Sequence, residues 1–201
     1  MNLDQYNHLL STDISDAQTL GLAMDIGIKS LLNPAITIMG LAYTVRCPHK
    51  SNTYLHDAIY TAPKGSIIVA QADSPDYALA GGNVCLTAQM NGVAGMVIDG
   101  AVRDLGEIRE AAFPVYARGV YPKPGFKNPQ GASQVPIICG GVVVHTGDLI
   151  AADEEGIVVV PKAEIENVLN VALEKEAAAR ARSLEDWQAA HIEKIKNITG
   201  L

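Results

Sequence analysis

An α/β domain is the architecture this chain predicts, and three observations carry it. The runs Ser66–Ala70 and Met96–Ile98 are short, continuous and apolar, the character of strands buried on both faces. Segments with helical periodicity or capping signals alternate with such runs through the middle of the chain. After Gln134, strand-like pieces follow one another more closely, at Pro136–Cys139, Val142–His145 and Gly156–Val160, which reads as hairpin connection.

Taken in order, the first thirty residues read as helices. Ser15-Asp16-Ala17-Gln18 has capping-box form, and Ala17, Leu20 and Leu22 to Met24 supply an apolar stripe closed off by Pro34. Ala35–Met39 and Ala42–Arg46 read as two strands with Gly40 as a bend or bulge. A short helix spans Asn52–Thr61, Pro63-Lys64-Gly65 is a turn, and Asp73-Ser74-Pro75-Asp76 is a polar loop. The next helix, about Val84–Asn91, is entered through Gly81-Gly82-Asn83 and closed by Gly92. Leu105–Ala112 is helical, Pro114–Ala117 opens a strand, and the Pro-, Gly- and Lys-rich segment Tyr121–Gln134 is a surface excursion. From Lys162 the chain is helical, with Leu169, Ala172, Leu173 and Ala177 on its apolar side and a restart at Ser183. The expected division is an α/β core over residues 1–161 and a helical tail over 162–201, packed on the core or on a neighbouring subunit.

Composition bounds the function. With 48% hydrophobic residues and only 5% aromatics, Val, Ile, Leu and Ala must fill the core. A formal net charge of −7 and no basic run exclude a protein that tracks nucleic-acid phosphates. Cys47, Cys85 and Cys139 fit neither a metal pair nor a disulfide framework and read as buried thiols in a reducing compartment. No segment approaches the ~18 apolar residues of a membrane span, and no leader pattern is visible. The expectation is a cytoplasmic protein without membrane or nucleic-acid partners.

The residues able to carry chemistry converge between Gly81 and Asp104. Arg103 can grip a carboxylate or stabilise charge on an enolate oxygen, and Asp104 offers a hard oxygen to Mg²⁺ or Mn²⁺. The same spacing allows a plainer role: Asp104-Leu105-Gly106-Glu107 resembles a capping box, with Asp104 as N-cap and Arg103 in a surface ion pair. Gly81 and Gly82 before a helix permit an anion to approach backbone N–H groups, or simply form an ordinary helix entry. Asp99 ends the strand leading to Arg103, and either orients that arginine or a metal-bound water or closes a turn with Gly100. Among His8, His49, His56, His145 and His191 no pair has metal-ligand spacing.

Ile14–Ala17 (ISDA), GVAGMVIDGAVRD ending at Asp104, FPVYARGVYPKP from Phe113, Gly140-Gly141 and GDLIAADEEGIVVVP from Gly147 together resemble the RraA-like superfamily. That superfamily includes the 4-hydroxy-4-methyl-2-oxoglutarate (HMG) and 4-carboxy-4-hydroxy-2-oxoadipate (CHA) aldolases. The central element is similar to its signature, running from Gly82 through Arg103 and Asp104 to Glu107. The resemblance implies a swivelling β/β/α-type fold in a homotrimer or a dimer of trimers. It also implies divalent-metal-dependent aldolase or decarboxylase chemistry on 2-oxo acids through a pyruvate enolate. By position, Asp104 would bind Mg²⁺ or Mn²⁺, Arg103 the pyruvyl oxygen, and the turn Gly81 to Val84 the substrate carboxylate, through the Asn83 and Val84 amides. Glu176, from a neighbouring subunit's C-terminal helix, would complete the metal's water shell. Many aldolase members carry an acidic residue where Gly82 stands here, which leaves the base to Asp73, Asp76 or Asp99. A non-catalytic relative that binds a ribonuclease is the alternative the superfamily offers.

Overall fold

The computed structural model describes residues 3–200 and builds them around one large sheet. In chain order the elements are α1 (Ser11–Ala17), β1 (Lys29–Ser30), β2 (Ile38–Cys47), α2 (Thr53–Thr61), β3 (Ile67–Ala72), β4 (Ala78–Ala80), α3 (Gly82–Met90), β5 (Gly95–Val102) and α4 (Leu105–Glu110). They continue as β6 (Val115–Val120), β7 (Ala132–Ser133), β8 (Ile137–Cys139), β9 (Val142–Val144), β10 (Leu149–Ala152), β11 (Ile157–Val160), α5 (Ile165–Arg180) and α6 (Leu184–Thr199). The strand order is β1-β6-β5-β3-β2-β10-β11, with β4 added to β5 and β7 to β2. The centre, β2-β3-β5-β6, is parallel, and β10 and β11 join it antiparallel. This is the expected α/β arrangement, with a helical segment before the sheet and a helical tail after it.

Alternation along the central strands explains their unbroken apolar runs. Ile68, Ala70, Met96 and Ile98 point into a core shared with α2, α3 and α4 through Leu55, Cys85 and Ile108. Their neighbours Ile67, Val69 and Val97 point the other way, onto Ile137, Cys139 and Val144 of the β8–β9 hairpin. A third cluster joins α1 and α5 to the outer strands, with Ile14, Leu169 and Ala172 against Leu149, Val158 and Val160. The three thiols are buried as expected, and burial pushes Cys47 and Cys85 up to about 12. Among the described residues no helix is long and apolar enough to cross a membrane.

The N-terminal reading needs correction. The helix ends at Ala17, where the capping pattern had placed its beginning. Its start is held by side chains outside that pattern, one local and one remote: Leu10 N donates to Asp13 Oδ2 (2.9 Å), and Ser11 N and Oγ donate to Asp153 Oδ2 and Oδ1 (2.7 Å each). Gln18 bridges instead, donating to Val159 O (2.9 Å) and accepting from Leu22 N (3.0 Å), so the following residues run extended along β11. Gly40 is not a bend either. It lies inside the continuous β2, opposite Ile150, where a Cβ would stand 2.6 Å from the Gly65 carbonyl oxygen. Glycine is required there by close approach of backbone. Strand β10, Leu149–Ala152, was not anticipated at all.

Candidate functional site

Two strand-to-helix turns meet at the carboxyl edge of the parallel sheet. β4 pairs with the last turns of β5, Ala78 opposite Ala101 and Ala80 opposite Val102, and each strand then releases a helix. Arg103 N donates to Ala80 O (3.0 Å), which ties the end of β5 to the entrance of α3. Open α/β sheets bind ligands at such carboxyl edges.

Asp104 occupies the position before α4 but does not cap it. Its backbone is left-handed (φ 57°, ψ 41°), its side chain makes no cap bond, and its Oδ2 turns toward Gly82 N (3.3 Å) and Arg103 Nε (3.5 Å). A non-glycine residue held left-handed costs about 1–3 kcal/mol. The Arg103–Asp104 pair does not repay that cost, because both side chains are more than 40% exposed and such pairs contribute about 0–1 kcal/mol. The conformation serves the placement of the carboxylate.

The two glycines make room for this arrangement. At Gly81 a Cβ would collide with Asp104 Oδ2 and lie 3.0 Å from Arg103 Cγ. At Gly82 it would collide with Glu107 Oε2 and lie 2.7 Å from its Cδ. Neither glycine has a positive φ, so the constraint is space. The volume that a side chain at position 82 would fill is therefore already taken by a carboxylate delivered from α4. Within α3, Cys85 N is bonded to Gly81 O (3.0 Å), and the amides of Asn83 and Val84 belong to the helix's first turn, whose N–H groups have no intrahelical acceptor.

A third wall comes from the Tyr121–Gln134 excursion, which is pinned to the sheet edge. Ala78 N donates to Lys123 O (2.7 Å), Gly125 N to Ala78 O (2.9 Å) and Phe126 N to Lys50 O (2.7 Å). This sets Lys127 Nζ 2.6 Å from Asn52 Oδ1 and 3.2 Å from His56 Nε2. The resulting cavity, about 150 Å³, is bounded by Asn52, His56, Gly81, Asn83, Val84, Arg103, Asp104 and Lys127. It is small beside drug-sized pockets and matches a metabolite of a few carbons. Burial, then the Arg103 charge, pushes the Lys127 ammonium down, so two cations face one space.

His56 is shifted down as well, chiefly by burial and then by Lys127, while its bond to the Leu79 carbonyl pulls the other way. A histidine with a depressed folded-state value stabilises the fold fully above the unfolded value, about 6.5, and that stability is lost as pH falls through the folded value. Melting temperature should therefore drop between pH 7.5 and 5, and His56→Gln should flatten that slope in a differential scanning fluorimetry series.

The remaining candidates lie elsewhere. Asp99 orients neither Arg103 nor a turn at Gly100; it sits within β5, paired with Arg118 Nε and accepting from Gly140 N (2.8 Å). Asp73 is tied to His49 N and Tyr77 OH (2.6 Å each). Asp76 is held below the usual carboxylate range by the Lys50 ammonium (2.8 Å) and the Ser74 hydroxyl. Neither lines the cavity that Arg103 and Asp104 enter. Glu176 pairs with Arg180 on α5, which packs on α1, so a single chain does not bring it to Arg103. A larger cleft of about 680 Å³ lies beside α1, but its central carboxylates are committed, Asp153 to Ser11 and Asp25 to Gly27 N and Arg118. His56 and Lys127 had no local signal: they are 71 residues apart and meet only through the fold.

Fit to Mg²⁺ or Mn²⁺ can be judged from the donors. Among the described residues no three His, Cys, Asp or Glu side chains are grouped to hold a metal. An Mg²⁺ or Mn²⁺ ion needs no such group, since one or two carboxylates suffice and water completes the shell. Asp104, lying over Gly81 and lining the cavity, offers one such carboxylate.

Comparison with known proteins agrees with this architecture. The RraA-like family model, described as Aldolase/RraA, matches residues 11–159. A Halalkalibacterium halodurans protein that carries 4-hydroxy-4-methyl-2-oxoglutarate aldolase as a provisional name is 37% identical over 187 residues, 92% of this chain and 89% of its own. The structure of the RNA-processing inhibitor RraA from Thermus thermophilus superposes with a TM-score of 0.70 at 31% identity, covering 76% of this chain and 92% of that one. Streptomyces coelicolor RraAS2, described as an unusual member of the RNase ES inhibitor RraA family, gives a TM-score of 0.78 at 26% identity, covering 89% and 94%. The chain belongs to the RraA-like (Aldolase/RraA) family.

Proposed function

We propose that this protein is a divalent-metal-dependent carbon–carbon lyase acting on small 2-oxo acids. The observation that carries the reading is Asp104, held left-handed with its carboxylate beside Arg103 at the mouth of a cavity that also receives Lys127. Asp104 is the residue that would hold Mg²⁺ or Mn²⁺, with water completing the shell. When bound, the ion supplies Lewis-acid polarisation of a 2-oxo acid's carbonyl.

This chain's own groups account for the rest. The Asn83 and Val84 amides, at the positive end of α3, hold the substrate carboxylate. Arg103 lies against the C2 oxygen and stabilises the negative charge that grows there as the C3–C4 bond breaks. Lys127 neutralises a second carboxylate at the far end of the substrate, which favours dicarboxylic substrates. Decarboxylation then requires no base, whereas retro-aldol cleavage needs one for the C4 hydroxyl proton. Glu107, standing in the space of the absent side chain at position 82, takes that proton directly or through one water.

The deciding assay is pyruvate release from oxaloacetate and a panel of 4-hydroxy-2-oxo acids, with Mg²⁺ or Mn²⁺ and with EDTA. Metal-dependent turnover of at least one substrate is the expected result; inactivity across the panel, or activity indifferent to EDTA, rules the reading out. Glu107→Gln should cut hydroxy-acid cleavage about 10²-fold and leave oxaloacetate decarboxylation within a few-fold, measured on the same stopped-assay samples.

A second reading has its own support. One structural relative is described as an RNA-processing inhibitor and another as an unusual member of an RNase ES inhibitor family. On this reading the protein is a non-catalytic regulator that binds a ribonuclease or another protein. Calorimetry showing no Mg²⁺ or Mn²⁺ affinity, together with ribonuclease inhibition by the purified protein, would establish it in place of the first.

A further inference from the structure

Lys127 reaches the cavity from the middle of the Tyr121–Gln134 excursion, a stretch without helix or strand until β7. Two isolated bridges, Ala78 to Pro124 and Ser51 to Phe126, fasten that stretch to the sheet edge. The second adjoins Lys127. It closes through Phe126 N, which donates to Lys50 O (2.7 Å), and Asn52 N, which donates to Phe126 O (3.0 Å). Lys127 therefore stands where residues 50–52 put it.

Those residues are reached through two consecutive left-handed positions, His49 (φ 53°) and Lys50 (φ 60°). Neither is glycine, so neither favours that backbone on its own account. One side chain compels it. Asp73 Oδ2 accepts from His49 N (2.6 Å), and Asp73 Oδ1 accepts from Tyr77 OH (2.6 Å), which also lies 3.2 Å from Cys47 O. Tyr77 is fully buried, so the carboxylate is anchored in the core on one side and grips the turn on the other.

Burial pushes the Asp73 carboxyl up, but the Tyr77 hydroxyl and the His49 and Lys50 amides outweigh it, and the group is held below the usual carboxylate range. The excursion is pressed against the same two residues. A Cβ at Gly125 would stand 2.8 Å from Lys50 O and 3.1 Å from Tyr77 Cδ2. Turn, tyrosine and excursion pack without slack, so a shift of the turn is passed on to Phe126 and Lys127.

We propose that Asp73 is a positioning residue for Lys127, holding His49 and Lys50 left-handed so that Lys50 O seats the excursion and delivers the ammonium beside Asn52 and His56. The use of that ammonium on a substrate carboxylate rests on the lyase reading above; its placement does not. Asp73 acts through the excursion and does not touch substrate.

His56 reports the placement without turnover. Lys127 Nζ lies 3.2 Å from His56 Nε2, and burial and then the Lys127 charge hold the imidazole down. The experiment is an NMR titration of the full chain labelled with ¹⁵N-histidine, His56→Gln assigning the resonance. Asp73→Asn should raise the His56 midpoint, as should Lys127→Met. Tyr77→Phe, which keeps the ring and frees one Asp73 oxygen, should raise it by less. Added to Lys127→Met, Asp73→Asn should do nothing more. A midpoint unmoved by Asp73→Asn or by Tyr77→Phe overturns the proposal, and so does an undiminished rise in the Lys127→Met background.

Kinetics with 4-hydroxy-4-methyl-2-oxoglutarate tests the consequence. Asp73→Asn and Lys127→Met should each raise KM about tenfold, the loss of one charged contact, with kcat little changed. A KM that stays put while His56 shifts overturns the link to substrate. Inactivity across the whole panel removes the lyase reading instead, and the His56 titration still decides the placement.

Discussion

Arg103→Lys should lower turnover of a 2-oxo acid about 10²–10³-fold, the usual consequence of losing a donor aimed at a developing oxyanion. Lysine keeps the charge but not the planar fork, and the position depends on that fork. The Arg103 backbone is fixed by Ala80 O, its Cγ packs over Gly81, and its Nε lies 3.5 Å from Asp104 Oδ2. A lysine threaded along the same path would present one rotatable ammonium in place of a plane held at its inner edge. Because the charge on the C2 oxygen develops as the bond breaks, the loss should fall on kcat more than on KM. Lys127→Met provides the contrast. Its proposed carboxylate contact exists before and during bond cleavage, so its effect should be mainly a rise in KM. Steady-state pyruvate release from a 4-hydroxy-2-oxo dicarboxylic acid, whose far carboxylate survives the cleavage, separates the two patterns, and an Arg103→Lys enzyme within threefold of the parent would remove Arg103 from the chemistry.

The parts of this fold legible in sequence are those in which local pattern and tertiary environment agree. The central runs Ile67–Ala70 of β3 and Met96–Ile98 of β5 read correctly because both of their faces are covered, so each residue there is apolar and no partner need be known. The break before α6 was visible for a similar reason: Ser183 caps the helix with its own side chain. Failures arise where a remote residue decides. The Ser15–Gln18 pattern is a sound capping signal, yet Asp153, 142 residues away from Ser11, starts the helix earlier and Gln18 is drawn onto β11. At the candidate site, spacing named Gly82, Arg103, Asp104 and Glu107 but could not tell a cap from a ligand, since that difference is the sign of one backbone angle. It also could not reach His56, Asn52 or Lys127, which become neighbours only when the excursion is fastened to β4. Glu107's occupation of the space above Gly82 is a packing fact with no counterpart in a one-dimensional pattern.

Asp104 allows activity and stability to be pulled in opposite directions. Its left-handed backbone is strain that glycine does not feel, so Asp104→Gly removes the carboxylate and relieves the conformation in one step. If the residue is there for a ligand, this variant should be as stable as the parent or up to about 1 kcal/mol more stable, while turnover falls about 10²–10³-fold. Asp104→Ala should be equally inactive and less stable than the glycine variant, because alanine bears the strain with nothing to offset it. A pure N-cap predicts instead that both variants are less stable than the parent, the glycine one by about a few tenths of a kcal/mol. Loss of the cap would cost about 0.5–2 kcal/mol in Ala, serine would restore it, and activity would hardly change. Urea denaturation of the three variants distinguishes these outcomes without reference to substrate. Thermal shift adds an independent reading: a ligand that binds only the folded state raises the melting temperature. The shift produced by Mn²⁺ in the parent should vanish in both Asp104→Gly and Asp104→Asn, although asparagine tolerates the left-handed backbone and leaves the packing over Gly81 nearly unaltered.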